Sequence, residues 1–581
     1  MKVIEPLFLN ELKEELDAAG TNKKKLDALL KRLYNLRIFD PACGSGNFLI
    51  IAYKELCRLE IEIFRRLGQS EKAVQMDLFR SDLQLTQFYG IELDDFAHET
   101  AKLSLWLAEH QMNLEFKLVF GATRPTLPLQ EGGNVVCGNA TKEDWEEVCP
   151  KEGGHEVFIL GNPPYLGARN QSKEQKEDMA LVFDNHKDYK DSDYVCCWYL
   201  KAVDYIHEFS GSCGFVSTNS ICQGEQVVYL WPRVLAKCEL SFAHKPFRWT
   251  NHAKGNAGVT CVILGIRNCS DKAKFLFDRT TTQQVENISP YLHEGDDTVV
   301  YPAKTSLSSM PKMMMGNMPR DGGNLVLTNL EYESLVKLHP NAKKLIRKYF
   351  GANEFLHAKL RWCVWIEDDQ LSVAEKIPPI KTRIEKTKKF RLDSRAKTTN
   401  QYANTPHKFA QRNLVPGQCV ILPRHSSENR KYIPFGYLTD RTVVSDAAQV
   451  IYECEPWVFA FLNSRLHMVW CRRIGGALES RIRYSKTISY NPFPFPDLVA
   501  KQKSRLEELV FEMLDCRERY PEMTLAQLYD ANHMPIDLVA AHSEIDKYVE
   551  KCFAAKNIAS DDDAVRFLLQ RYSELFGEAS A

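Results

Sequence analysis

Hydrophobic residues follow different spacings along the chain, and each spacing predicts a different kind of structure. In residues 1–36 they recur every three or four positions, with a break at Ala19-Gly20-Thr21, which predicts two short helices. From Arg37 to about Ile266, short apolar runs alternate with longer amphipathic stretches. This alternation is typical of a mostly parallel α/β sheet with helices on its faces.

The rest of the chain divides into two further regions. Residues 271–496 are richer in Pro, Asn and Thr and have weaker periodicity, which predicts a mixed α+β domain. Helical spacing returns after the proline-rich hinge Asn491-Pro492-Phe493-Pro494-Phe495-Pro496. The predicted domains are therefore 1–36 (helical), 37–270 (α/β), 271–496 (mixed) and 497–581 (helical).

Composition narrows the class of protein. A hydrophobic content of 44% permits a large core, and a net charge of −1 means that a nucleic-acid partner would need local basic patches. No apolar run reaches the roughly 18 residues of a membrane span, and Met1 is not followed by a secretion signal. The 17 cysteines are scattered without zinc-site spacing. We expect a cytoplasmic protein with reduced thiols, no membrane contact and no metal.

Four apolar runs in the α/β region lead directly to a polar or acidic residue. These residues are Asp40, Glu92, Asn139 and Asn162. In an open α/β sheet, ligands bind outside the carboxyl ends of the strands. We therefore expect the four side chains to line one pocket.

The first run continues into the loop Phe39-Asp40-Pro41-Ala42-Cys43-Gly44-Ser45-Gly46-Asn47-Phe48. Gly44 and Gly46 allow a tight turn and a close approach to a ligand. The loop has neither the third glycine of a dinucleotide fingerprint nor the Lys-Ser/Thr of a phosphate loop. A bare G-x-G would equally suit a plain strand–helix turn, and the longer string is what favours a ligand loop.

The next two strand ends could serve the same ligand. Glu92, in Gly90-Ile91-Glu92-Leu93-Asp94, could accept both hydroxyls of a ribose. The amide of Asn139 could hydrogen-bond an adenine edge, although an asparagine there could equally be a turn residue.

The fourth run leads into Gly161-Asn162-Pro163-Pro164-Tyr165. Two prolines stiffen the loop, and the Pro163 carbonyl and the Asn162 side-chain oxygen can accept both hydrogens of an exocyclic NH₂. That arrangement frees the nitrogen lone pair to attack a sulfonium methyl, by orientation and electrostatics rather than by a strong base. Tyr165 can stack on the planar group that carries the NH₂.

These strings, with later segments at 191–194, 214–220, 247–251 and 254–259, resemble the adenine-specific methyltransferase part of fused type II restriction–modification enzymes (types IIG and IIL). The resemblance is strong over 37–270 and weaker to about 500. It implies a class I, Rossmann-like methyltransferase fold with a mixed seven-stranded sheet, followed by a target-recognition domain and a helical region. It also implies S-adenosylmethionine as cofactor and double-stranded DNA as partner.

Residue roles follow from the resemblance by position. Cofactor contacts are implied for Asp40, Pro41, Ala42, Gly44, Gly46, Asn47, Phe48, Glu92, Asn139 and Ala140. Catalytic roles are implied for Asn162, Pro163, Pro164 and Tyr165. Tyr165 with Phe247 or Trp249 would sandwich a flipped base, and ordinary core packing is the alternative for Phe247 and Trp249.

Two basic clusters in the later domain could hold DNA. Residues 371–431 contain 14 Lys/Arg against 4 Asp/Glu, and a second cluster surrounds Gly475-Gly476. They could contact phosphates and guanine edges, although charge runs are often only solvated surface. The expected DNA-binding residues are Lys388, Lys389, Arg391, Arg424, Arg472, Arg473, Arg481 and Arg483.

The sequence departs from the resembling enzymes at its start. The glycine loop begins about 40 residues from Met1, so we expect no nuclease part and no nuclease activity. In the family, a Tyr-Thr motif that closes over the cofactor precedes the equivalent of residues 1–7. We therefore expect weak cofactor binding by the chain alone, or an upstream nuclease or N-terminal polypeptide as partner. Cytosine N4, a protein glutamine or RNA substrate, and an inactive DNA-binding remnant stay open as alternatives.

Overall fold

The computed structural model describes residues 1–70, 82–121, 133–151, 154–248, 260–439, 441–555 and 558–580. The chain forms two compact units, Met1–Val299 and Val300–Ala581. Among the described residues, no helix has the length and apolarity needed to cross a membrane. All 17 cysteines are free thiols, and only Cys137 and Cys269 are exposed.

The first unit begins with the two predicted helices, α1 (Asn10–Ala19) and α2 (Lys23–Tyr34). Helix α1 ends at Gly20, whose φ of 54° suits glycine. The Asn22 side chain caps α2 by accepting from the Lys25 N–H at 3.2 Å. Leucines on one face of both helices are buried in the core of the unit, which explains their helical spacing in the sequence.

A nine-stranded sheet follows, in the order β3-β2-β1-β4-β5-β7-β6-β8-β9. Its strands are β1 (Leu36–Asp40), β2 (Phe88–Glu92), β3 (Asn134–Cys137), β4 (Glu156–Gly161), β5 (Gly211–Thr218), β6 (Cys238–Arg248), β7 (Thr260–Asn268), β8 (Lys274–Asp278) and β9 (Thr281–Val285). Strands β1 to β5 are parallel, and β7 is antiparallel to both β5 and β6. The first seven strands form the expected mixed sheet, and β8 and β9 extend it beyond residue 270.

The helices of this unit connect the strands. They are α3 (Asn47–Ser70), α4 (Asp95–Phe120), α5 (Trp145–Val148), α6 (Lys173–Val182), α7 (Cys196–Ile206) and α8 (Gln226–Leu235). Strands β1, β2 and β4 are almost entirely buried, as expected for near-continuous apolar runs in a parallel sheet covered on both faces.

The second unit contains three small sheets, β10-β18-β14-β16, β11-β13-β12-β17 and β15-β20-β19. Their strands are β10 (Met313–Met315), β11 (Val326–Thr328), β12 (Ile346–Phe350), β13 (Arg361–Val364), β14 (Cys419–Pro423), β15 (His425–Ser426), β16 (Gly436–Leu438), β17 (Thr442–Val444), β18 (Ala448–Tyr452), β19 (Gly476–Leu478) and β20 (Arg481–Arg483).

Helices alternate with these strands and then close the chain. They are α9 (Asn329–Leu338), α10 (Ala352–Leu356), α11 (Leu371–Glu375), α12 (Pro378–Leu392), α13 (Lys397–Asn400), α14 (Pro456–Leu462), α15 (Arg465–Arg473), α16 (Ala500–Glu518), α17 (Leu525–Leu528), α18 (Ile536–Cys552) and α19 (Asp561–Ser580). The α/β sheet, the mixed region and the closing helices confirm the expected fold class. The domain boundaries at 36, 270 and 496 stay predictions.

Candidate active site

The carboxyl ends of the first four strands lie side by side at one edge of the sheet. The order β3-β2-β1-β4 makes their ends neighbours, and the register pairs Asp40 with Gly90 and Glu92 with Cys137. Asn162 directly follows β4. The structure therefore brings together the strand ends that the sequence singled out.

Asp40 is fully buried between the glycine loop and β4. Its Oδ1 accepts from the Ala42 N–H at 3.0 Å, while Oδ2 accepts no hydrogen bond from the described residues. Burial raises the pKa of Asp40 to about 8, with nearby Glu92 adding to the rise and the Ala42 N–H opposing it. A Cβ on Gly161 would lie 2.5 Å from Asp40 Oδ1, so glycine at 161 is required for this close approach.

The carboxylate of Glu92 holds the glycine loop in place. Its two oxygens accept from the Gly44 N–H at 2.8 Å and the Asp94 N–H at 2.9 Å. Each oxygen keeps a further lone pair that a ligand hydroxyl could use. Gly46 has a φ of 82°, and a Cβ there would lie 3.3 Å from Ala101 of α4. The loop thus packs against α4 in a conformation that favours glycine.

The other residues expected at the cofactor lie along the same loops. The Pro41 carbonyl accepts from Trp198 Nε1 at 3.1 Å, and Ala42 donates to Asp40. Asn47 and Phe48 form the first turn of α3. Ala140 is buried and its carbonyl accepts from Trp145 Nε1 at 2.8 Å.

The side chain of Asn139 is used within the protein. Its Oδ1 accepts from the Thr141 N–H at 3.0 Å and the Thr141 hydroxyl at 2.7 Å, and its Nδ2 donates to Asp178 Oδ2 at 3.1 Å. Asp178 is buried and also accepts from the Tyr194 hydroxyl at 2.7 Å. The amide thus has the turn role that the sequence left open, and its second Nδ2 hydrogen remains available to a ligand. Its contact with an adenine edge stays a prediction.

The loop after β4 presents an acceptor without a partner. Asn162 Oδ1 is buried and accepts no hydrogen bond from the described part of the chain. A buried amide oxygen without a partner costs stability and often marks a functional position. Pro163 is buried and Pro164 is exposed. The stiff loop thus holds an unsatisfied acceptor one residue after Gly161, which packs against Asp40. We call the site formed by Asp40, Glu92 and the glycine loop the Asp40 pocket.

The exit of this loop is clamped by Asp193, which lies in a segment that also carried the resemblance. Its Oδ1 accepts from the Leu166 N–H at 2.9 Å, and the Leu166 carbonyl accepts from the Tyr194 N–H at 3.1 Å and Gln171 Nε2 at 2.9 Å. Burial raises the pKa of Asp193. The backbone after Tyr165 is therefore fixed at both its donor and its acceptor.

Tyr165 and Phe247 both border Cys261. The Tyr165 hydroxyl lies 3.9 Å from Cys261 Sγ, and Phe247 of β6 is the register partner of Cys261 in β7. Both rings are partly buried against the core, and Lys2 Nζ lies 4.8 Å from the centre of the Phe247 ring. The structure thus places these two aromatic residues near each other. Trp249 and the expected segment 254–259 lie outside the described residues.

The structure contradicts the expected contact of Arg391 with DNA. It lies on α12 with no exposed surface, and all five of its N–H donors are used. The acceptors are backbone carbonyls 2.7–2.9 Å away, from Pro319, Arg320, Tyr402, Thr405 and Lys408. Arg391 therefore ties loops together. Lys388 and Lys389, on the same helix, are exposed.

Two arginines of the second cluster are also engaged within the protein. Arg472 donates to the carbonyls of Arg430 and Lys431 at 2.6 and 2.9 Å, and Arg473 pairs with Asp562 at 2.7 Å. Both side chains are part-buried and keep further N–H donors, so their contact with DNA stays a prediction.

The remaining arginines of that cluster surround His425. Strand β15 pairs with β20, with His425 opposite Arg483, and Arg481 and Arg483 are exposed. Arg424 is half-buried and donates to the Asp446 carbonyl at 3.0 Å. Burial, together with Arg424, Arg483 and Arg481, lowers the pKa of His425. This concentration of positive charge, the β15–β20 patch, was only partly visible in the sequence because His425 is distant from the Gly475-Gly476 cluster along the chain.

The strand order, the glycine loop after β1 and the acid that ends β2 define a class I methyltransferase fold. Three family models match successive parts of the chain: the MmeI DNA-methyltransferase domain over 16–278, the MmeI target recognition domain over 294–497 and the MmeI C-terminal domain over 498–578. The structure of the type IIL restriction-modification enzyme MmeI in complex with DNA superposes with a TM-score of 0.90 at 38% identity, covering 99% of this chain and 78% of that one. The chain therefore belongs to the MmeI family.

Two curated proteins are similar as well. DNA methyltransferase A of Bacillus subtilis (strain 168) is 42% identical over 578 residues, which is 99% of this chain and 65% of that protein. A putative type II restriction enzyme and methyltransferase of Methanocaldococcus jannaschii is 42% identical over 134 residues, or 23% of this chain and 11% of that protein. This chain thus spans about two thirds of the length of its Bacillus relative.

Proposed function

We propose that this chain is a site-specific DNA methyltransferase that transfers a methyl group from S-adenosylmethionine to the N6 amino group of adenine, within a restriction–modification or related defence system. The observation that carries the proposal is the buried, unpartnered Asn162 Oδ1 beside the Asp40 pocket. Membership of the MmeI family supports DNA as the substrate, and the resemblance of the loop strings to adenine-specific enzymes supports adenine.

The Asp40 pocket suits S-adenosylmethionine. Asp40 Oδ2 is a buried acceptor without a partner among the described residues, which suits a cationic ligand bearing N–H donors. Glu92 keeps lone pairs for ribose hydroxyls, and the glycine loop lets the backbone approach the ligand. When bound, the cofactor supplies an electrophilic methyl group carried on a sulfonium.

The loop after β4 would orient the target amine. Asn162 Oδ1 and the Pro163 carbonyl accept the two N–H bonds, which turns the nitrogen lone pair out of conjugation with the ring and toward the methyl group. The new N–C bond would form as the S–CH₃ bond of the sulfonium breaks and its electron pair stays on sulfur as a neutral thioether, and the nitrogen would then give up one proton to solvent. Tyr165 is not a base for that proton, because burial raises its pKa to about 12 and keeps the hydroxyl neutral.

Aromatic stacking would hold the base outside the helix. An amino group in a duplex cannot reach a pocket at a sheet edge unless its nucleotide is flipped. Tyr165 and Phe247 both border Cys261. Stacking of the flipped base on such an aromatic ring would contribute about 1–3 kcal/mol to the free energy of binding. Cys261, between them, is a position that sequence reasoning did not single out.

The second unit supplies the groups for DNA contact. Lys388 and Lys389 on α12 suit phosphates, as exposed cations that release counterions on binding. Arg481 and Arg483 of the β15–β20 patch project from a short hairpin, a geometry that suits guanine edges in the major groove.

Transfer of a labelled methyl group tests the proposal. The chain is incubated with labelled S-adenosylmethionine and unmethylated DNA, RNA or a cell protein extract, first alone and then with the upstream polypeptide of its system, beside Asn162→Ala. We expect labelled methyl groups in DNA but not in RNA or protein, and no labelling of DNA by the variant. Label confined to protein or RNA would replace DNA as the substrate, and no transfer with intact DNA binding would leave a non-catalytic DNA-binding protein.

We also propose that a further polypeptide of the same system binds along α4. Five apolar residues spaced at 7, 4, 7 and 4 positions share one face of this helix and are 48–87% exposed: Phe96, Leu103, Leu107, Leu114 and Leu118. Such spacing suits a partner helix, and exposed stripes of this kind mark interaction surfaces. The occupant would be a helical, nuclease-bearing or N-terminal polypeptide of the same system.

Co-purification tests this partnership. The chain is expressed with the segment of the Bacillus relative that this chain does not match. Leu107→Lys with Leu118→Lys should abolish co-elution, while Leu360→Lys, at a leucine of the second unit that is 50% exposed, should not. If the two polypeptides still co-elute after the α4 substitutions, α4 is not the binding surface. If the chain alone has twice its monomer mass and the double variant does not, α4 binds a second copy of the chain.

A further inference from the structure

Three potential metal ligands converge at the end of β3. One ligand atom from each of Asp95, His98 and Cys137 lies within 4.8 Å of the other two. Asp95 and His98 are one helical turn apart at the start of α4, and Cys137 ends β3, 39 positions further along the chain than His98. The sequence showed no metal spacing because the fold, not local spacing, brings these residues together.

His98 is held with one ring nitrogen directed at this cluster. The residue is 6% exposed, and its Nε2 is 3.1 Å from the Val135 carbonyl. Because a carbonyl can only accept, Nε2 is the N–H donor of this contact. The lone pair of the neutral ring then lies on Nδ1, which is how metal-binding histidines are oriented. Nδ1 makes no hydrogen bond among the described residues, although Glu99 Oε1 lies 3.2 Å away and Asp95 Oδ1 4.0 Å away.

The other two ligands can move to meet an ion. The Asp95 side chain is 89% exposed, and Cys137 is exposed with only a weak 4.0 Å contact from Sγ to the Leu93 carbonyl. Tetrahedral coordination with bonds of about 2.0–2.3 Å needs ligand atoms closer than about 4 Å. Small rotations of these two exposed side chains supply that closure, while the buried His98 stays fixed.

We propose that Asp95, His98 Nδ1 and Cys137 Sγ form a site for a thiophilic divalent cation such as Zn²⁺, with the fourth position left to water or to a further ligand. One thiolate, one imidazole and one carboxylate suit Zn²⁺ better than Mg²⁺ or Ca²⁺, which prefer oxygen. Cys137 is the register partner of Glu92, so a bound ion adds positive charge next to the proposed ribose carboxylate.

Cadmium titration of the reduced, metal-free full chain tests the site, because a Cd²⁺–thiolate bond absorbs in the near ultraviolet. We expect one equivalent per chain with that absorption, and competition by Zn²⁺. Cys137→Ser should abolish the absorption. Asp95→Ala and His98→Gln should each weaken binding at least about tenfold.

Cys269→Ser is the matched control, because Cys269 is the other exposed thiol, and it should leave the titration unchanged. The proposed site is wrong if the absorption persists in Cys137→Ser, disappears in Cys269→Ser or is unaffected by Asp95→Ala. It is also wrong if binding occurs only at millimolar metal concentrations. The readout is metal binding, so it is independent of methyl transfer.

Discussion

Asp40 lies at the end of β1, enclosed by the glycine loop and by Gly161. Its raised pKa, about 8 against an ordinary 3.8, means that the folded protein holds a proton that the unfolded chain releases above about pH 4. The contribution of this group to stability is therefore full below pH 4 and declines as the pH rises toward 8. A cationic ligand in the pocket would oppose this effect by favouring the carboxylate.

Asp40→Asn should remove this pH dependence while keeping the acceptor for the Ala42 N–H. Relative to the parent chain, the unfolding temperature of the variant should rise between pH 5 and pH 8.5 by at least about 2 °C, the shift that about 1 kcal/mol produces in a large domain. Scanning calorimetry across this range measures the difference. Parallel curves for the two proteins would show that Asp40 does not titrate as described.

Asn162→Ala should lower kcat about 100- to 1,000-fold, the usual cost of losing one positioned group in a transition state. Cofactor affinity should change little, because the proposed partner of Asn162 is the target amine and not the cofactor. Steady-state transfer and calorimetric binding separate the two effects. Asn170→Ala, an exposed asparagine a few residues along the chain, is the control, and equal losses in both variants would contradict a specific role.

At the level of elements, β1 and β4 are joined by more than backbone pairing. The Cβ added by Gly161→Ala would lie 2.5 Å from Asp40 Oδ1, so the variant should lose about 1–3 kcal/mol of stability and bind cofactor more weakly. Gly167→Ala, where a Cβ meets no atom within 4 Å, should stay within about 0.5 kcal/mol of the parent. Urea denaturation gives both values, and equal stabilities would show that the two strand ends tolerate separation.

Helix α12 carries cations with two different tasks. Arg391→Met strands five carbonyls and should cost about 3 kcal/mol or more in stability. Lys388→Ala with Lys389→Ala should leave stability unchanged and lower the slope of log affinity for DNA against log salt by about 2. Thermal unfolding and salt-dependent DNA binding compare the variants. If Arg391→Met is as stable as the parent chain but binds DNA more weakly, Arg391 contacts DNA and does not have this structural role.

The local pattern of apolar and polar residues predicted the positions of strands better than it predicted the roles of single side chains. The apolar runs that end at Asp40 and Glu92 predicted where β1 and β2 end. A parallel strand covered on both faces is apolar throughout, so the first polar residue after the run marks its carboxyl end. The composition of α12 could not separate Arg391 from Lys388, since its charge pattern does not reveal which cation meets backbone carbonyls of distant loops. The partners of Asn139, notably Asp178, are likewise set by tertiary packing.

For the whole molecule, the α/β region, the mixed region and the closing helices could be predicted from changes in periodicity. The two strands added after residue 270 could not, because β8 and β9 are short and partly exposed and resemble the start of another region. The convergence of Asp95, His98 and Cys137 depends on the pairing of β2 with β3, which no local spacing reveals.

Adenine methylation at a defined DNA sequence, the function proposed for this chain, can be tested in cells. The most direct test is sequencing that detects modified bases in DNA from cells expressing the chain with its native neighbours, beside cells expressing Asn162→Ala. We expect N6-methyladenine in a single sequence context, and none in cells that express the variant. N4-methylcytosine in that context would show that cytosine is the target base. DNA with no modification that depends on Asn162 would show that this chain does not methylate DNA through the loop after β4.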